Sequence, residues 1–321
     1  MFGKISIAAF TLALFVLLAG AALPLQAQTE SDSAQLPAII HNSWSNGAPI
    51  PTPVFYQAMG VLQGKIYLVG GGVTYTTNTA ATQIYDPATN SWSTGTSLPT
   101  PTSAAAGAVV NNVLYVIGGN TTAVTNAVWA YSPKTKKWSA KAAMPTARQG
   151  PVAVVEKNII YVIGGYNNGT LATVESYNPA TDTWKTEAPL LVAKTQFNAG
   201  LLGTTIVAAD GDVNNAASGD NEGYNAATNV WTSRAVDPTG RNGPCAGSIG
   251  SQLYVAGGYS TQTITLTESF NPSKNLWKTL ASIPNATLLP GSAVSKGRMY
   301  CFGGLTTYAG TVLNYLQIYQ P

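Results

Sequence analysis

The strongest constraint on the fold of this chain is a repeat that runs through most of its length. Six of the seven tryptophans recur at spacings of 48, 46, 46, 47 and 46 residues. They are Trp44, Trp92, Trp138, Trp184, Trp231 and Trp277. Glycine pairs recur with the same period at 70–71, 118–119, 164–165, 257–258 and 303–304, with Asp-Gly at 210–211 in the fourth place. A period in this range is typical of one supersecondary unit repeated along the chain.

Each repeat has the pattern of several short strands. In the third repeat, a small apolar stretch at 150–155 is followed by a β-branched run at 159–163 that ends at the glycine pair. An alternating segment at 173–177 then passes through a turn at 178–179 to Trp184. These features indicate four strands with turns between them and no helical period. A four-stranded sheet repeated at this spacing predicts a β-propeller, with the large aromatic residues filling the wedges between sheets.

The repeated tyrosine, tryptophan and double glycine resemble the Kelch repeat family. Stretches such as MPTARQGPVAVVEKNIIYVIGG followed by VESYNPATDTW carry the pattern. The resemblance covers residues 38–321 in six registered copies. It implies an all-β, six-bladed Kelch-type propeller with four-stranded antiparallel blades. The fourth copy departs most, since residues 209–211 read Ala-Asp-Gly where the other copies have an apolar residue and two glycines.

Strand counting predicts how the ring closes. Trp44 precedes the first glycine pair, whereas no tryptophan follows Tyr319 in the last copy. The sixth blade therefore lacks its outer strand, while the N-terminal segment has one to spare. We predict that residues 39–45 pair with the strand that ends at Tyr319, because this pairing removes two exposed sheet edges.

Residues 1–27 have the features of a signal peptide, and the polar stretch 28–37 is typical of a linker. Lys4 precedes an uncharged apolar run at 5–23, which is the order of charge and hydrophobicity that export requires. An uncleaved anchor is the alternative, since a run of about 19 apolar residues could span a bilayer. The sequence therefore predicts a secreted or periplasmic chain, with one propeller at 38–321 and no membrane span after cleavage.

Charge and histidine content exclude several function classes. A net charge of +3 is too small for a surface that neutralises phosphates, so no nucleic-acid partner is expected. Some Kelch propellers are copper oxidases of the galactose oxidase type, whose site needs two histidines. The single histidine, His41, cannot supply that site, and it leaves little histidine-based acid–base chemistry. We therefore expect no cofactor.

Two cysteines, Cys245 and Cys301, leave two interpretations open. An exported chain could join them in a disulfide. The favoured interpretation is two small buried residues, because each lies in an apolar strand pattern and spacing alone does not place two Cα atoms within bridging distance.

Antiparallel strand order places the loop after each glycine pair beside the start of that blade's first strand. These post-glycine loops are 72–82, 120–126, 166–170, 212–220, 259–265 and 305–311. They are rich in Thr, Asn and Tyr, which suits a glycan or an extended protein segment, although ordinary solvated loops are the alternative. The predicted loop contacts are Tyr75, Asn120, Tyr166, Asn167, Tyr259 and Tyr308. The residues predicted to line the mouth, 15 positions before each pair, are Phe55, Ser103, Gln149, Thr195, Asn242 and Leu288.

A cation stands 16 residues before the glycine pair in three consecutive repeats. These cations are Arg148, Lys194 and Arg241. The same three repeats, and no others, carry a glutamate two residues before the repeat aromatic, at Glu175, Glu222 and Glu268. An anion site for a sialic or uronic acid is one reading. The matched occurrence favours ion pairs within each blade instead, because strands one and three lie about 9.5 Å apart.

The fourth repeat carries oxygen-bearing side chains at short spacing. Asp210, Asp212, Asn214 and Asp220 could bind calcium. A solvated acidic loop is the favoured alternative, because Asn215 replaces the glycine that an EF-hand loop requires.

Three functions follow from these features. The leading interpretation is non-enzymatic recognition of a glycan or protein through the post-glycine loops, with no catalytic residue. The second is a sugar-processing enzyme, since Asp212 loosely resembles a glutamate of the sialic acid mutarotases and would transfer the proton. No arginine follows nearby, which counts against that chemistry. The third is a structural scaffold in a surface assembly.

Overall fold

The computed structural model describes residues 41–321. The predicted signal peptide and linker lie outside these residues. Within them the regular secondary structure consists of 28 strands, as expected from a sequence whose apolar residues alternate in short runs bounded by turn residues. No helix in residues 41–321 is long and apolar enough to cross a bilayer.

The first three blades take their strands in chain order. A separate strand, β1 (Ser43–Asn46), precedes them. The first blade contains β2 (Ala58–Leu62), β3 (Lys65–Val69), β6 (Thr82–Asp86) and β7 (Ser91–Gly95), with a small hairpin of β4 (Gly72–Thr74) and β5 (Thr77–Asn78). The second contains β8 (Ala106–Val110), β9 (Val113–Ile117), β10 (Val128–Ser132) and β11 (Lys137–Ala140). The third contains β12 (Val152–Glu156), β13 (Ile159–Ile163), β14 (Val174–Asn178) and β15 (Thr183–Glu187).

The remaining blades repeat this arrangement. The fourth contains β16 (Asn198–Leu202), β17 (Thr205–Ala209), β20 (Asn221–Asn225) and β21 (Val230–Ser233), with a small hairpin of β18 (Asp212–Val213) and β19 (Ala216–Ala217). The fifth contains β22 (Cys245–Ile249), β23 (Gln252–Ala256), β24 (Thr267–Asn271) and β25 (Leu276–Leu280). The sixth contains β26 (Gly291–Ser295), β27 (Arg298–Phe302) and β28 (Leu316–Gln320).

The ring closes through β1, which supplies the outer strand of the sixth blade. It pairs antiparallel with β28, and Trp44 lies opposite Tyr319. The first strands of the six blades contact one another around a central channel, and β2 touches both β8 and β26. The prediction of six blades closed by an N-terminal strand is confirmed, with the strand at Ser43–Asn46.

The wedges between blades are filled by the repeat aromatics. Tyr177 packs against Trp184 with ring centroids 4.9 Å apart, and the Trp184 indole N–H donates to the carbonyl of Ala142 at 2.9 Å. The six tryptophans of the repeat make this bond to a linker of the neighbouring blade; the acceptors are Ala281, Ala48, Thr96, Ala142, Ala188 and Ala235. Each tryptophan therefore joins two blades by packing and by a hydrogen bond.

A disulfide joins the fifth and sixth blades. Cys245 in β22 and Cys301 in β27 are bonded, with Cα atoms 5.7 Å apart, and both residues are buried. The preference for two unbonded buried residues was wrong. The bond forms because β22 packs against β27 across the wedge between the two blades. The spacing of two cysteines along the chain does not give the distance between their Cα atoms.

Candidate functional site: the loop-face cavity

A cavity of about 760 Å³ opens at the end of the channel where the post-glycine loops lie. We call it the loop-face cavity. Eight of the twelve predicted contacts line it: Phe55, Tyr75, Ser103, Asn120, Gln149, Tyr166, Thr195 and Tyr308. Tyr75 is 66% exposed and Tyr166 37%, so two aromatic rings stand at the rim. Its position at the mouth of the ring is the one that strand order predicts.

Local pairing explains why these positions meet. The residue 15 places before each glycine pair forms an isolated β-bridge with the post-glycine loop of its own blade. Gln149 pairs with Tyr166, and Thr195 pairs with Asp212. Each blade thus brings one channel residue and one loop residue together.

Four predicted contacts do not line the cavity but lie behind it. Leu288 is fully buried in an apolar cluster. Tyr259 packs edge-on against Tyr308, with centroids 5.0 Å apart. Asn242 accepts a hydrogen bond from the Tyr308 hydroxyl at 2.9 Å, and the Asn167 amide donates to the carbonyl of Ala147 at 3.0 Å. These four residues therefore lie outside the cavity lining, and their role as ligand contacts stays a prediction.

The floor of the cavity is a ring of residues that sequence analysis missed. One residue per blade, 14 places before each glycine pair, has a left-handed φ between 51° and 62°. These are Tyr56, Ala104, Gly150, Gln196, Gly243 and Leu289. Five of their N–H groups donate to the carbonyl of the equivalent residue in the preceding blade at 2.6–2.9 Å. At the remaining junction, Thr195 Oγ1 donates to the carbonyl of Gly150 at 3.2 Å.

Tyr56 extends from the first blade across the channel. Its hydroxyl hydrogen-bonds with Thr195 of the fourth blade, and a Cβ on Gly150 of the third blade would collide with it. Burial raises the pKa of Tyr56, so the phenol remains protonated. Tyr56 also lines a smaller cavity of about 220 Å³ deeper in the channel. Gly150 and Gly243 at this repeat position were the signal that could have revealed the floor, because glycine favours a left-handed backbone.

Two hairpins stand on opposite sides of the cavity. The β4–β5 hairpin of the first blade contributes Tyr75, and the β18–β19 hairpin of the fourth blade contributes Asp212 and Asn215. Between them lies Tyr308, whose hydroxyl is 2.8 Å from Gln196 Oε1. Burial, and then the proximity of Asp212, raises the pKa of Tyr308. The cavity therefore has two walls of unequal chemistry, one aromatic and one acidic.

The three ion pairs expected within blades are present. Arg148 binds Glu175, and Arg241 binds Glu268. Lys194 Nζ lies 3.1 Å from Glu222 Oε1 and also binds Asp220. The side chains of all three cations are fully buried, so none of them reaches the loop-face cavity.

Glu175 and Glu222 also accept hydrogen bonds from backbone N–H groups of a linker, which explains why these glutamates change together with the cations. Glu222 accepts hydrogen bonds from the N–H groups of Leu191 and Val192. In the first blade, which has no cation at this place, Gln83 accepts from the N–H of Thr52 and donates to its carbonyl, both at 2.9 Å. The neutral amide of Gln83 can hydrogen-bond the linker backbone without a charged partner. A buried carboxylate at the same place needs a cation beside it.

Asp212 alone carries a charged side chain among the described residues that line the cavity. Its Oδ1 accepts the N–H of Asn215 at 2.7 Å. Partial burial raises the pKa of Asp212, and the Asn215 hydrogen bond opposes that shift. The cavity therefore presents neutral amides, hydroxyls, phenol rings and one carboxyl group.

The predicted calcium ligands are not brought together. Asp210 is completely buried, Asp220 binds Lys194, and Asp212 belongs to the cavity wall. Within residues 41–321, no group of three His, Cys, Asp or Glu residues is placed to hold a metal ion. His41 lies two residues before the closing strand β1, and its Nδ1 is 2.6 Å from the carbonyl oxygen of Pro321.

Comparisons with known proteins agree with the repeat. The family described as the KLHDC2/KLHL20/DRC7 Kelch-repeats domain matches residues 42–194, and the Kelch motif family matches residues 240–284. Kelch-like protein 23 from Homo sapiens and from Pongo abelii is 29% identical over 79 residues, which is 25% of this chain and 13% of the relative. The solved structure of YjhT has a TM-score of 0.74 and 17% identity, covering 85% of this chain and 97% of that one. At this identity the structural likeness concerns the fold.

Proposed function

We propose that this chain, a six-bladed propeller with Kelch-family matches over residues 42–194 and 240–284, is a non-enzymatic recognition module that binds a glycan or protein segment in the loop-face cavity. The observation that carries this proposal is the cavity lining. Exposed tyrosine rings stand beside neutral hydrogen-bonding side chains on a rigid ring of backbone. Tyrosine rings can stack on the apolar faces of sugars, and side-chain amides can hydrogen-bond sugar hydroxyls. The lining therefore favours a glycan over a protein segment as the ligand.

We also propose that the protein acts outside the cytosol, as a secreted or periplasmic protein. The disulfide between Cys245 and Cys301 supports this location, because such bonds persist in oxidising compartments and are rare in the cytosol.

A second candidate is a sugar-processing enzyme in which Asp212 transfers a proton. It is favoured by the place of Asp212 inside the cavity and by its raised pKa, since a shifted carboxyl in a cleft is typical of proton-transfer groups. Its test is turnover of any sugar that binds. An Asp212→Asn variant that binds but no longer converts the sugar would identify an enzyme.

The main proposal is tested by screening the protein on a glycan and peptide array and measuring affinity for the hits. Tyr75→Ala and Tyr166→Ala should each weaken binding at least about tenfold, since stacked aromatic anchors dominate such sites. Tyr315→Ala is the matched control, because this tyrosine is also exposed but does not line the cavity. Unchanged affinity in both rim variants would remove the cavity as the binding site. Failure of every probe to bind would favour the scaffold interpretation.

A further inference from the structure

The charge balance of the loop-face cavity narrows the ligand that it can take. Asp212 is its only charged lining residue within the described chain. The nearby cations Arg148, Lys194 and Arg241 are buried and bound to carboxylates of their own blades. An acidic ligand would therefore meet a like charge and no cation, which disfavours binding.

The aromatic residues add to the same preference. Phe55, Tyr56, Tyr75, Tyr166 and Tyr308 line the cavity, and the faces of aromatic rings attract cations. Tyr308 lies near Asp212, whose proximity raises the pKa of the Tyr308 phenol. A positive group entering between the two hairpins would thus meet a carboxylate on one side and phenol rings on the other.

We propose that the ligand is a glycan with unacetylated amino groups, bound with one ammonium beside Asp212. This inference rests on the proposed function and names its ligand class. The rim favours a sugar over a lysine side chain, because Thr76, Asn78, Thr121 and Thr122 surround the cavity with side chains that bond hydroxyls. The amino group is the feature that separates this ligand from neutral and acidic glycans.

The test compares four tetrasaccharides of similar length by isothermal titration calorimetry, at a pH where the amine is charged. The probes are β-1,4-linked glucosamine, the same sugar fully N-acetylated, glucose and galacturonate. The wild-type protein should bind the glucosamine form at least about tenfold more tightly than the acetylated form, and galacturonate should bind weakest. The preference should decrease as salt is added, because a charge pair is screened.

Asp212→Asn is the critical variant. It should abolish the preference for glucosamine, measured within the variant as the ratio of its affinities for the glucosamine and acetylated forms, which should fall from at least about tenfold to about one. Asp86→Asn serves as the control, since Asp86 is an aspartate that pairs with Lys65 away from the cavity lining, and it should keep the preference.

The contrary outcomes separate the inference from the proposed function. Equal affinity for glucosamine and its acetylated form, with binding still lost in Tyr75→Ala, overturns the inference and leaves the recognition function intact. A preference that persists in Asp212→Asn also overturns it. A lysine-rich peptide is titrated in the same assay. If this peptide binds and none of the sugars does, the glycan assignment is overturned. Sugar binding that neither rim variant nor Asp212→Asn weakens overturns both proposals.

Discussion

The second and fourth blades share one backbone arrangement but fill the same wedge with opposite chemistry. In the second blade, a Cβ on Gly118 would lie 3.3 Å from the terminal methyl of Met144. In the fourth blade the equivalent residues are Asp210 and Asp237, and both are buried. The other linkers all place a buried apolar residue here, at Ile50, Leu98, Leu190 and Ile283. Two departures from the repeat thus occur at positions that face each other.

The backbone is not what differs between the blades. The N–H of Met144 donates to the carbonyl of Asn126 at 3.0 Å, and the N–H of Asp237 donates to that of Gly219 at 2.8 Å. Asp210 keeps the left-handed φ, 66°, of the glycine that it replaces. The fold therefore holds this geometry whether the wedge contains a methionine or two carboxyl groups.

The carboxyl groups are accommodated by charge and by a proton. Arg241 Nε lies 3.4 Å from Asp237 Oδ2 and its Nη2 binds Glu268. Burial, and then the proximity of Asp237, raises the pKa of Asp210 well above its usual range and that of Glu268 to about 7. One guanidinium cannot neutralise three buried carboxylates, so protons are retained in this wedge at neutral pH. The comparison teaches that a polar pair can replace a glycine and an apolar residue only where a cation and protons balance it.

Of the changes considered, removing the Arg241 cation beside Asp237 and Glu268 should destabilise the protein most. Arg241→Met strands the carboxyl groups of Asp210, Asp237 and Glu268, and we expect it to lower the free energy of unfolding by about 3–5 kcal/mol. Arg148→Met is the matched control, since it strands Glu175 alone and should cost less. Urea denaturation followed by circular dichroism measures both. If both variants lose the same free energy of unfolding, Asp210 and Asp237 do not increase the contribution of Arg241 to stability.

Restoring the repeat should stabilise the protein. In Asp210→Gly with Asp237→Leu, the wedge regains the glycine and apolar residue of the other blades, while Arg241 keeps Glu268. Replacing buried charged groups by packed apolar ones is neutral or stabilising by about 1–4 kcal/mol. The two single variants complete a double-mutant cycle in the same denaturation assay. A double variant that is less stable than the wild type would mean that the carboxyl pair itself contributes favourable hydrogen bonding.

The carboxyl groups of the fourth-blade wedge should also make the free energy of unfolding depend on pH. The folded-state pKa of Glu268, about 7, lies above its usual value, so the folded protein binds this proton more tightly than the unfolded chain. The resulting stabilisation is complete below the unfolded pKa and is lost as the pH rises through about 7. The free energy of unfolding of the wild type should therefore fall between about pH 5 and about pH 8. The restored double variant should show a flatter profile, and an equally steep one would place the titrating groups elsewhere.

The smallest expected effect concerns the second carboxylate on Lys194. Asp220→Asn leaves Lys194 paired with Glu222, and the Asp220 side chain is 24% exposed. We expect a loss below about 1 kcal/mol, in the range of partly exposed ion pairs. Glu222→Gln at the buried partner is the comparison and should cost more. A larger loss for Asp220→Asn than for Glu222→Gln would reverse the assignment of the main partner.

Most of the architecture follows from the repeat because its residues act locally. The tryptophans mark the outer strands and the glycine pairs the ends of second strands, so strand order and closure by Trp44 opposite Tyr319 could be counted. The pairing of Arg148 with Glu175 could also be predicted, since both change together from repeat to repeat.

Other features depend on distances across the ring, which the repeat does not contain. The Cys245–Cys301 bond needed the packing of two blades. Tyr56, Gln196 and Leu289 in the floor have left-handed backbones that their residue types disfavour, so their composition gave no signal. Asp237 is the one acidic residue at an otherwise apolar repeat position, so the sequence does contain a signal for the polar wedge.

The position of Tyr56 limits how a polymer can meet this protein. Because its side chain runs from the first blade to the third and fourth, the axis is blocked and the loop-face cavity is a blind pocket. A long chain cannot be threaded through the propeller in this conformation. It must either insert a terminus or lie across the entrance, and it must leave by the route through which it arrived.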